Sequence, residues 1–329
     1  MPGTRTRRDL GRTVAAAVAA WAILGSPASL AQTAGVYPDK PITWIIGYPP
    51  GGSTDAITRL VAKKIESALG QSIVVDNRPG ASGAIALGAA ARATPDGYTL
   101  VTVAGPDVTA KAVPELGKEL AGVAALGTGP MVLVGTAAVA LPASLRDLLA
   151  AAKTDPARYS FGSSGIGSSQ HLAGELINQM AGTRLTHIPY KGGGQAVLDL
   201  VGGQLPLAVL GIPPVLPHIK SGKLKAYGVT TSSRSATLPD VPTLNEAGLG
   251  GFDANQWYVV AAPAGVPADR IQKLNAAINQ ALKDPAIHAG FVDVGVEPFV
   301  ASPQETVKFV TTDHKRWREL ALKAKISLD

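Results

Sequence analysis

The chain has 329 residues, of which 46% are hydrophobic and 16% are charged, and its formal net charge is +6. A chain of this length exceeds the usual size of one hydrophobic core, so two domains are expected. Because cysteine is absent, disulfides, a thiol nucleophile and a thiolate metal site are excluded. Beyond the first 31 residues no run of lysine and arginine is interleaved with aromatic residues, so nucleic acid is not expected as a partner.

The first 31 residues have the composition of an export signal. Their basic segment contains Arg5, Arg7, Arg8 and Arg12. Residues 14–24 are apolar but too few to cross a bilayer, which takes about 20 residues. Small residues at Ser29 and Ala31 predict cleavage before Gln32, which removes four arginines and one aspartate and lowers the net charge from +6 to +3. The mature chain is therefore expected in the periplasm, with the general and the twin-arginine export routes both open.

The mature chain begins with a strand, a glycine turn and a helix start. Residues 42–46 are apolar and rich in β-branched side chains, and Pro49 to Gly52 cannot continue a strand or a helix. Ser53, Thr54 and Asp55 then precede apolar residues at helical spacing. A helix start presents free N–H groups and roughly half a positive charge, so this turn can bind an anion without lysine or arginine. The alternative is an ordinary βα turn capped by Ser53 or Thr54.

Further alternation of strands and helices follows along the chain. Strands are predicted at 72–76, 98–103, 131–135, 159–161, 185–188, 205–210, 224–229 and 257–261, and helices at 84–93, 144–153, 267–283 and 304–324. Residues 110–129 are expected to be irregular because they contain several glycines. The pattern predicts parallel, doubly wound α/β sheets with the ligand at the carboxyl ends of the strands.

Two βα series, followed by helices that return at the end, predict two domains. The first comprises residues 32–132 with 260–329, and the second comprises residues 133–259. The chain is expected to cross between them near 130–137 and 255–263, which predicts a hinge that closes on a ligand.

Two further glycine-rich segments resemble the first turn. In "GSSGIGSSQHLAGE", the glycines allow tight turns and Ser168 or Ser169 can cap the following helix. In "YKGGGQA", Gly192 to Gly194 precede another helix. Three such helix starts in two predicted domains indicate one shared anion-binding cleft.

Catalytic motifs are missing. The chain has no G-x-S-x-G elbow, P-loop or H-E-x-x-H motif, and its five histidines lack metal-ligand spacing, so no cofactor and no metal are expected. An exported hydrolase that uses Ser164 or Ser168 with His171 is the alternative, although a histidine on the helix surface is the preferred interpretation. Lys191 either meets a carboxylate or lies solvated on its loop. Tyr190 and Trp257 are expected in the core, and Arg78 is expected to brace its own loop.

Several motifs together resemble one family. They include "YPPGGSTDAITRLV", "DNRPGASG", "TPDGYTL", "YSFGSSGIGSSQHLAGEL", "HIPYKGGGQAVLDLVGGQ", "LPDVPTLNEAGL" and "APAGVPADRIQKLNAAIN". In this order, and over nearly all of the mature chain, they resemble the Bug family, the solute-binding proteins of tripartite tricarboxylate transporters.

The resemblance implies a two-domain periplasmic binding protein of the type II, Venus-flytrap kind, with two doubly wound mixed sheets and a hinge cleft. Such a protein is a monomer without catalytic residues that binds a small organic carboxylate and delivers it to membrane permease subunits. A sensor that hands its ligand-bound form to a signalling partner would use the same cleft. The ligand-binding residues implied are Pro50, Gly51, Gly52, Ser53, Asp55, Ser82, Gly83, Ser163, Ser164, Gly167, Ser168, Tyr190, Lys191 and Gly211.

The chain departs from the family pattern in two places. The segment around 109–123 is shorter than in many relatives, and Gly211 stands where relatives often carry an aspartate. Without that carboxylate, amino-bearing ligands are expected to be disfavoured. Asp55 would repel an anion, so we expect its side chain to turn away and brace the loop. Valine in place of Gly52 is expected to fill the approach or to forbid the required φ.

Overall fold

The computed structural model of the protein describes residues 37–106, 113–293 and 295–323. The strands are β1 (Ile42–Ile46), β2 (Ile73–Asn77), β3 (Thr99–Gly105), β4 (Leu120–Thr136), β5 (Ser160–Ser163), β6 (Thr186–Pro189), β7 (Leu207–Gly211), β8 (Leu224–Val229), β9 (Asn255–Pro263) and β10 (Glu297–Pro298). The helices are α1 (Ser53–Leu69), α2 (Ala84–Ala91), α3 (Leu145–Thr154), α4 (Ser169–Ala181), α5 (Gly193–Val201), α6 (Ile212–Lys220), α7 (Ala268–Leu282), α8 (Pro285–Asp293) and α9 (Pro303–Lys323). The predicted export signal lies outside the described residues.

The strands form two parallel groups that are joined through the long strand β4. Their order is β2-β1-β3-β9-β4-β7-β5-β6, with β8 and β10 also paired to β4. β1 runs parallel to β2 and β3, and β5 runs parallel to β6 and β7. The first part of β4 pairs antiparallel with β9, and its last part pairs antiparallel with β7 and β8. The predicted α/β fold with mixed sheets is confirmed.

The prediction that residues 110–129 are irregular is wrong from Leu120 onward, because β4 begins there. Residues 107–112 lie outside the described part of the chain. The glycines that resembled turn residues instead allow close packing against the strand. A Cβ atom on Gly127 would lie 2.6 Å from the carbonyl oxygen of Glu297, and one on Gly129 would lie 2.6 Å from that of Gly295.

Two helices were not predicted. α6 begins at Ile212 and has Pro213 and Pro214 in its first turn. Proline lacks a main-chain N–H, but N–H groups in the first turn have no partner within the helix, so proline is tolerated there. α8 begins with Pro285 and is only nine residues long, and its apolar residues show little helical periodicity.

The long helix α9 contributes side chains to two separate parts of the core. Val307 and Val310 pack with Val101 and Val259 beside the first strand group. Near the other end of the helix, Trp317 joins a second cluster of apolar residues that surrounds β5, β7 and α4. Trp257 is 1% exposed, as predicted for a core residue.

Candidate functional site

A narrow cleft lies between the two strand groups, and the space between its walls, counted together with open solvent, is about 480 Å³. It is lined by Tyr48, Pro49, Gly52, Ser53, Thr54, Ala104, Ser164, Ser169, Gln170, Gly193, Gly211, Pro214, Gln256 and Tyr258. None of these residues is charged. Most of their polar groups are hydroxyls, amides and main-chain N–H groups.

Four helices begin at this cleft. The first residues of α1, α4 and α5 are among the lining residues, and so is Gly211, which precedes α6. Neither Gly52 at the start of α1 nor Gly192 at the start of α5 supplies a side-chain cap, so the first N–H groups of both helices are left for other partners. Each helix start carries roughly half a positive charge, and the lining therefore attracts anions although it has no basic side chain.

Two glutamine side chains connect the strand groups at the cleft. Gln170 Nε2 on α4 donates a hydrogen bond to Gln256 Oε1 on β9 at 3.0 Å. Gln256 Nε2 donates in turn to the carbonyl oxygen of Pro130 at 3.2 Å. Oε1 of Gln256 therefore already accepts one hydrogen bond, and one proton on its Nε2 remains for a ligand.

Position 211 needs a glycine because its neighbours leave no space for a side chain. Its backbone conformation does not require glycine. Its φ of −63° is open to any residue. A Cβ atom at this position would overlap the Ser53 hydroxyl and would lie 2.8 Å from Gln256 Nε2. The glycine therefore leaves room between α1 and β9, where other side chains would project into the cleft.

Tyr258 contributes a buried hydroxyl group to the cleft. The residue is 1% exposed, and its hydroxyl makes no hydrogen bond of ordinary geometry with the described residues. Burial raises the pKa of Tyr258 above its ordinary value, and the nearby Ser53 hydroxyl offsets part of that rise. The phenol is therefore protonated at neutral pH and can donate a hydrogen bond.

Of the predicted ligand-binding residues, the structure brings Gly52, Ser53, Ser164 and Gly211 together in the cleft lining. The lining does not include Pro50, Gly51, Asp55, Ser82, Gly83, Ser163, Gly167, Ser168, Tyr190 or Lys191. Pro50 and Gly51 are exposed on the turn before α1. The backbone argument made for Gly52 is wrong, because its φ is −83° and a Cβ atom would only approach the Pro49 carbonyl oxygen at 3.9 Å. Gly51, with φ of +86°, is the residue that needs a left-handed conformation.

Asp55 turns away from the cleft and braces the first turn, as predicted. Its carboxylate accepts hydrogen bonds from the Gly51 N–H at 3.1 Å and from Asn77 Nδ2 at 3.0 Å. It also forms an ion pair with Arg59 Nε at 2.9 Å. These contacts compensate the charge of a carboxylate that is only 6% exposed.

The loop that contains Ser82 and Gly83 contacts the serine-rich loop across the cleft. Ser82 Oγ donates a hydrogen bond to the carbonyl oxygen of Ile166 at 2.7 Å, and Tyr48 Oη donates to the carbonyl oxygen of Ser82 at 3.2 Å. A Cβ atom on Gly192 would lie 2.7 Å from Pro49 Cδ. Both pairs of loops are thus in contact, so the structure represents a closed cleft.

The serine-rich loop is held by hydrogen bonds and by two stacked histidines. His187 Nε2 lies 2.7 Å from Ser163 Oγ, and the Gly167 N–H donates to His171 Nδ1 at 3.0 Å. The His171 and His187 rings stack with their centroids 3.9 Å apart. The prediction of a helix-surface histidine is wrong, because His171 is only 4% exposed under the ring of His187.

Burial lowers the pKa of His171 to about 4. Burial and the neighbouring His171 lower the pKa of His187 to about 3. Both rings are therefore neutral at pH 7. Nδ1 of His171 is occupied by the Gly167 N–H, and the hydroxyl of Ser168 caps the main chain of α4, so the predicted alternative of a Ser168–His171 pair has no hydrogen bond between its side chains.

The basic residues considered from the sequence do not reach the cleft. Arg78 pairs with Asp76 at 2.8 Å and so braces its own loop, as predicted. Lys191 is exposed on the loop before α5. Tyr190 packs against apolar residues of the second strand group, and its hydroxyl donates to Asp199 at 2.8 Å.

Sequence reasoning missed ten of the lining residues, which are Tyr48, Pro49, Thr54, Ala104, Ser169, Gln170, Gly193, Pro214, Gln256 and Tyr258. Most of them lie inside or beside the glycine-rich segments that were singled out. Gln256 and Tyr258 had no local signal, although they lie on the same face of β9 at the period of two that a strand imposes.

Removing one of two serine hydroxyls should separate ligand binding from stability. Ser53 lines the cleft, so Ser53→Ala should weaken ligand binding by about 0.5–1.5 kcal/mol. Ser168 is 1% exposed, donates to the Gly165 carbonyl oxygen and caps α4, so Ser168→Ala should lower the free energy of unfolding by about 1 kcal/mol. Calorimetric titration and denaturant unfolding of both variants measure the two effects. An unchanged affinity in Ser53→Ala would contradict the assignment of its hydroxyl.

Comparison with known proteins agrees with this geometry. The fold is that of the periplasmic binding proteins. The family model described as the tripartite tricarboxylate transporter family receptor, TctC, matches residues 57–326. The chain belongs to this family, as the resemblance to Bug proteins implied.

Three relatives illustrate the match. Protein BugT of Bordetella pertussis is 38% identical over 296 residues, which cover 87% of this chain and 89% of BugT. An R. palustris protein solved with adipate is 30% identical with a TM-score of 0.85, over 88% of this chain and 99% of that chain. MatC of Rhodopseudomonas palustris, solved with bound malate, is 29% identical with a TM-score of 0.80, over 86% of this chain and 99% of that chain.

Among the residues that the structure describes, no helix is both long and apolar enough to cross a membrane.

Proposed function

We propose that this protein captures a small organic carboxylate in the cleft and delivers it to the permease subunits of a tripartite tricarboxylate transporter. Residues 32–132 with 260–329 would form one domain and residues 133–259 the other, and the cleft between them would close around the ligand. The observation that carries the proposal is the convergence of four helix starts on a cleft without charged side chains.

The electrostatics favour dicarboxylates as the first ligands to test. Four helix starts with roughly half a positive charge each supply about two positive charges, which would balance two carboxylates. α6 contributes fewer N–H donors because of the prolines in its first turn. Relatives solved with adipate and with malate, both of which are dicarboxylates, agree with this choice.

The protein would act by binding and not by catalysis. The serine-rich loop donates and accepts hydrogen bonds within itself and with His171 and His187, so among the described residues no serine at the cleft surface is activated by a base. Turnover of chromogenic esters that Ser164→Ala abolishes would contradict this part of the proposal.

The test is a thermal-shift screen of mono-, di- and tricarboxylates and aromatic acids on the chain from Gln32 onward. A ligand that binds only the folded protein raises its melting temperature with concentration. We expect at least one dicarboxylate to raise it and esters and amines of similar size to have no effect. If no carboxylate changes the melting temperature, the proposed function is wrong.

No single basic side chain should be essential for binding. Because Arg78 pairs with Asp76 and Lys191 is exposed outside the lining, we expect Arg78→Ala and Lys191→Ala to change the affinity for the best dicarboxylate by no more than about twofold. Calorimetric titration of both variants measures this. Loss of binding in either variant would indicate that a side-chain ion pair holds the anion.

We also propose that residues 1–31 are an export signal and that the mature chain acts in the periplasm as a monomer. N-terminal sequencing of the periplasmic fraction should begin at Gln32. Soluble protein that retains Arg7 and Arg8 would contradict the assignment.

A further inference from the structure

Tyr258 is the one lining residue whose buried polar atom lacks a partner among the described residues. A hydroxyl removed from water without a hydrogen bond destabilises the folded state, and native proteins have few such groups. Replacing it with hydrogen would remove no hydrogen bond of ordinary geometry from the fold, so its position at the cleft calls for a functional reason.

Several hydrogen-bond donors surround Tyr258. Ser53, at the first position of α1, lies beside it and brings the free N–H groups of that helix start. Gln256, two residues earlier on β9, has one Nε2 proton left, because its oxygen accepts from Gln170 and its nitrogen donates to Pro130. Gly211 leaves open the space between Ser53 and Gln256.

Among the described residues that line the cleft, none is acidic. The nearest acidic residue of α1, Asp55, is directed to Gly51, Arg59 and Asn77. An oxygen acceptor placed here would receive several hydrogen bonds, whereas an ammonium group would lose its hydration without gaining an anionic partner.

We infer that the Tyr258 hydroxyl donates a hydrogen bond to a carboxylate or carbonyl oxygen of the ligand. Together with Ser53 and Gln256, it selects acids that lack an amino group. This inference rests on the proposed function and deepens it: Tyr258 is a specificity-determining residue, and the ligand class is dicarboxylic acids without a 2-amino substituent.

Tyr258→Phe tests the inference because it removes one oxygen and no packing volume. The probe is the dicarboxylate that raises the melting temperature most in the screen, titrated by calorimetry. We expect its affinity to fall tenfold to a hundredfold in the variant. We also expect the melting temperature of the ligand-free variant to stay the same or to rise, since an unpaired buried hydroxyl has been removed.

Tyr227→Phe is the matched control. Tyr227 is 3% exposed and donates its hydroxyl to the Pro142 carbonyl oxygen at 2.7 Å, away from the cleft. Its variant should lose thermal stability and keep the affinity of the native protein. If Tyr258 had only a structural role, Tyr258→Phe would also lose thermal stability and keep the affinity of the native protein. That result would overturn the inference.

The selection against amino groups is tested with the same probe and its 2-amino derivative. The native protein should bind the derivative at least a hundredfold more weakly. Equal affinities for the two compounds, or an affinity of Tyr258→Phe within twofold of the native value, would overturn the inference while the proposed function stands. Failure of every carboxylate to bind the native protein would instead overturn the proposed function.

Discussion

Gly211→Asp should reduce the affinity for dicarboxylates by about a hundredfold or more. The new carboxyl group would lie between Ser53 and Gln256, in a cleft whose lining has no charged side chain. Two like charges about 4–5 Å apart repel by roughly 3–4 kcal/mol at the effective dielectric constant of about 20 that suits protein sites. Each 1.4 kcal/mol corresponds to about a factor of ten in affinity. Calorimetric titration at pH 7.5 measures the loss.

Gly211→Asn separates charge from size. Its side chain is as large as that of the aspartate variant, so both variants would displace the Ser53 hydroxyl. The asparagine variant should therefore lose affinity to a smaller extent, and the difference between the two variants measures the charge. The aspartate variant should also gain affinity for 2-amino dicarboxylates, because it supplies the missing anionic partner. Equal losses in both variants would show that only the space at Gly211 matters.

Acidification from pH 7.5 to pH 5 should destabilise the protein by about 2 kcal/mol for each histidine of the stacked pair. Burial holds the pKa of His171 at about 4 and that of His187 at about 3, whereas unfolding returns each ring to about 6.5. Below pH 6.5 the unfolded chain therefore binds protons that the folded chain does not. The free energy of unfolding consequently decreases as the pH is lowered. Over the roughly 1.5 pH units below 6.5, each ring contributes about 2 kcal/mol at 1.36 kcal/mol per unit.

Other groups limit the window in which this effect can be measured. Burial also lowers the pKa of His314, which adds to the loss. Burial raises the pKa of Glu175, whose carboxylate lies 4.0 Å from His171 Nε2, and this contribution has the opposite sign. Hydrogen bonds lower the pKa of carboxyl groups such as Glu66 and Glu305. Protonation of these groups destabilises the folded protein mostly below pH 5.

Denaturant unfolding at pH 7.5 and pH 5 provides the measurement. The difference in free energy of unfolding should shrink by about half in His187→Asn, even though that variant also loses the contact with Ser163. His288→Asn, at an exposed position of α8, is the control for the substitution itself. A pH dependence that is the same in the native protein and in His187→Asn would show that the stacked pair is not its source.

The parts of the site that the sequence predicted are those in which neighbouring residues carry the signal. A strand, a glycine turn and a helix start occupy adjacent residues before Ser53, before Ser169 and before Gly193, and each segment reaches the cleft. The glycines exclude strand or helix interiors at these turns, so local patterns are sufficient to place them. The same reasoning placed the Asp55 side chain correctly, because an anion site cannot contain an uncompensated carboxylate.

The parts that were missed depend on contacts between residues far apart in the chain. Gln256 and Tyr258 reach the cleft because β9 pairs with β3 and β4, and nothing in the residues around them specifies that pairing. His171 has the spacing of a helix-surface residue, but the ring of His187 on β6 stacks on it and helps to bury it. The first part of β4, residues 120–130, was missed for a related reason, since its glycines make room for main-chain atoms more than 150 residues away.

The path of the chain through β4 and β9 has a practical consequence for engineering. Pro130 and Asn255 face each other in the antiparallel register of these strands, so the segment 131–254 leaves and re-enters the first strand group at neighbouring points. A segment with adjacent ends can be exchanged as a cassette between relatives without stretching the polypeptide. Trp317 of α9, however, packs among the apolar side chains of that segment. A chimera that takes residues 131–254 from one relative would therefore need the end of α9 from the same donor in order to fill its core.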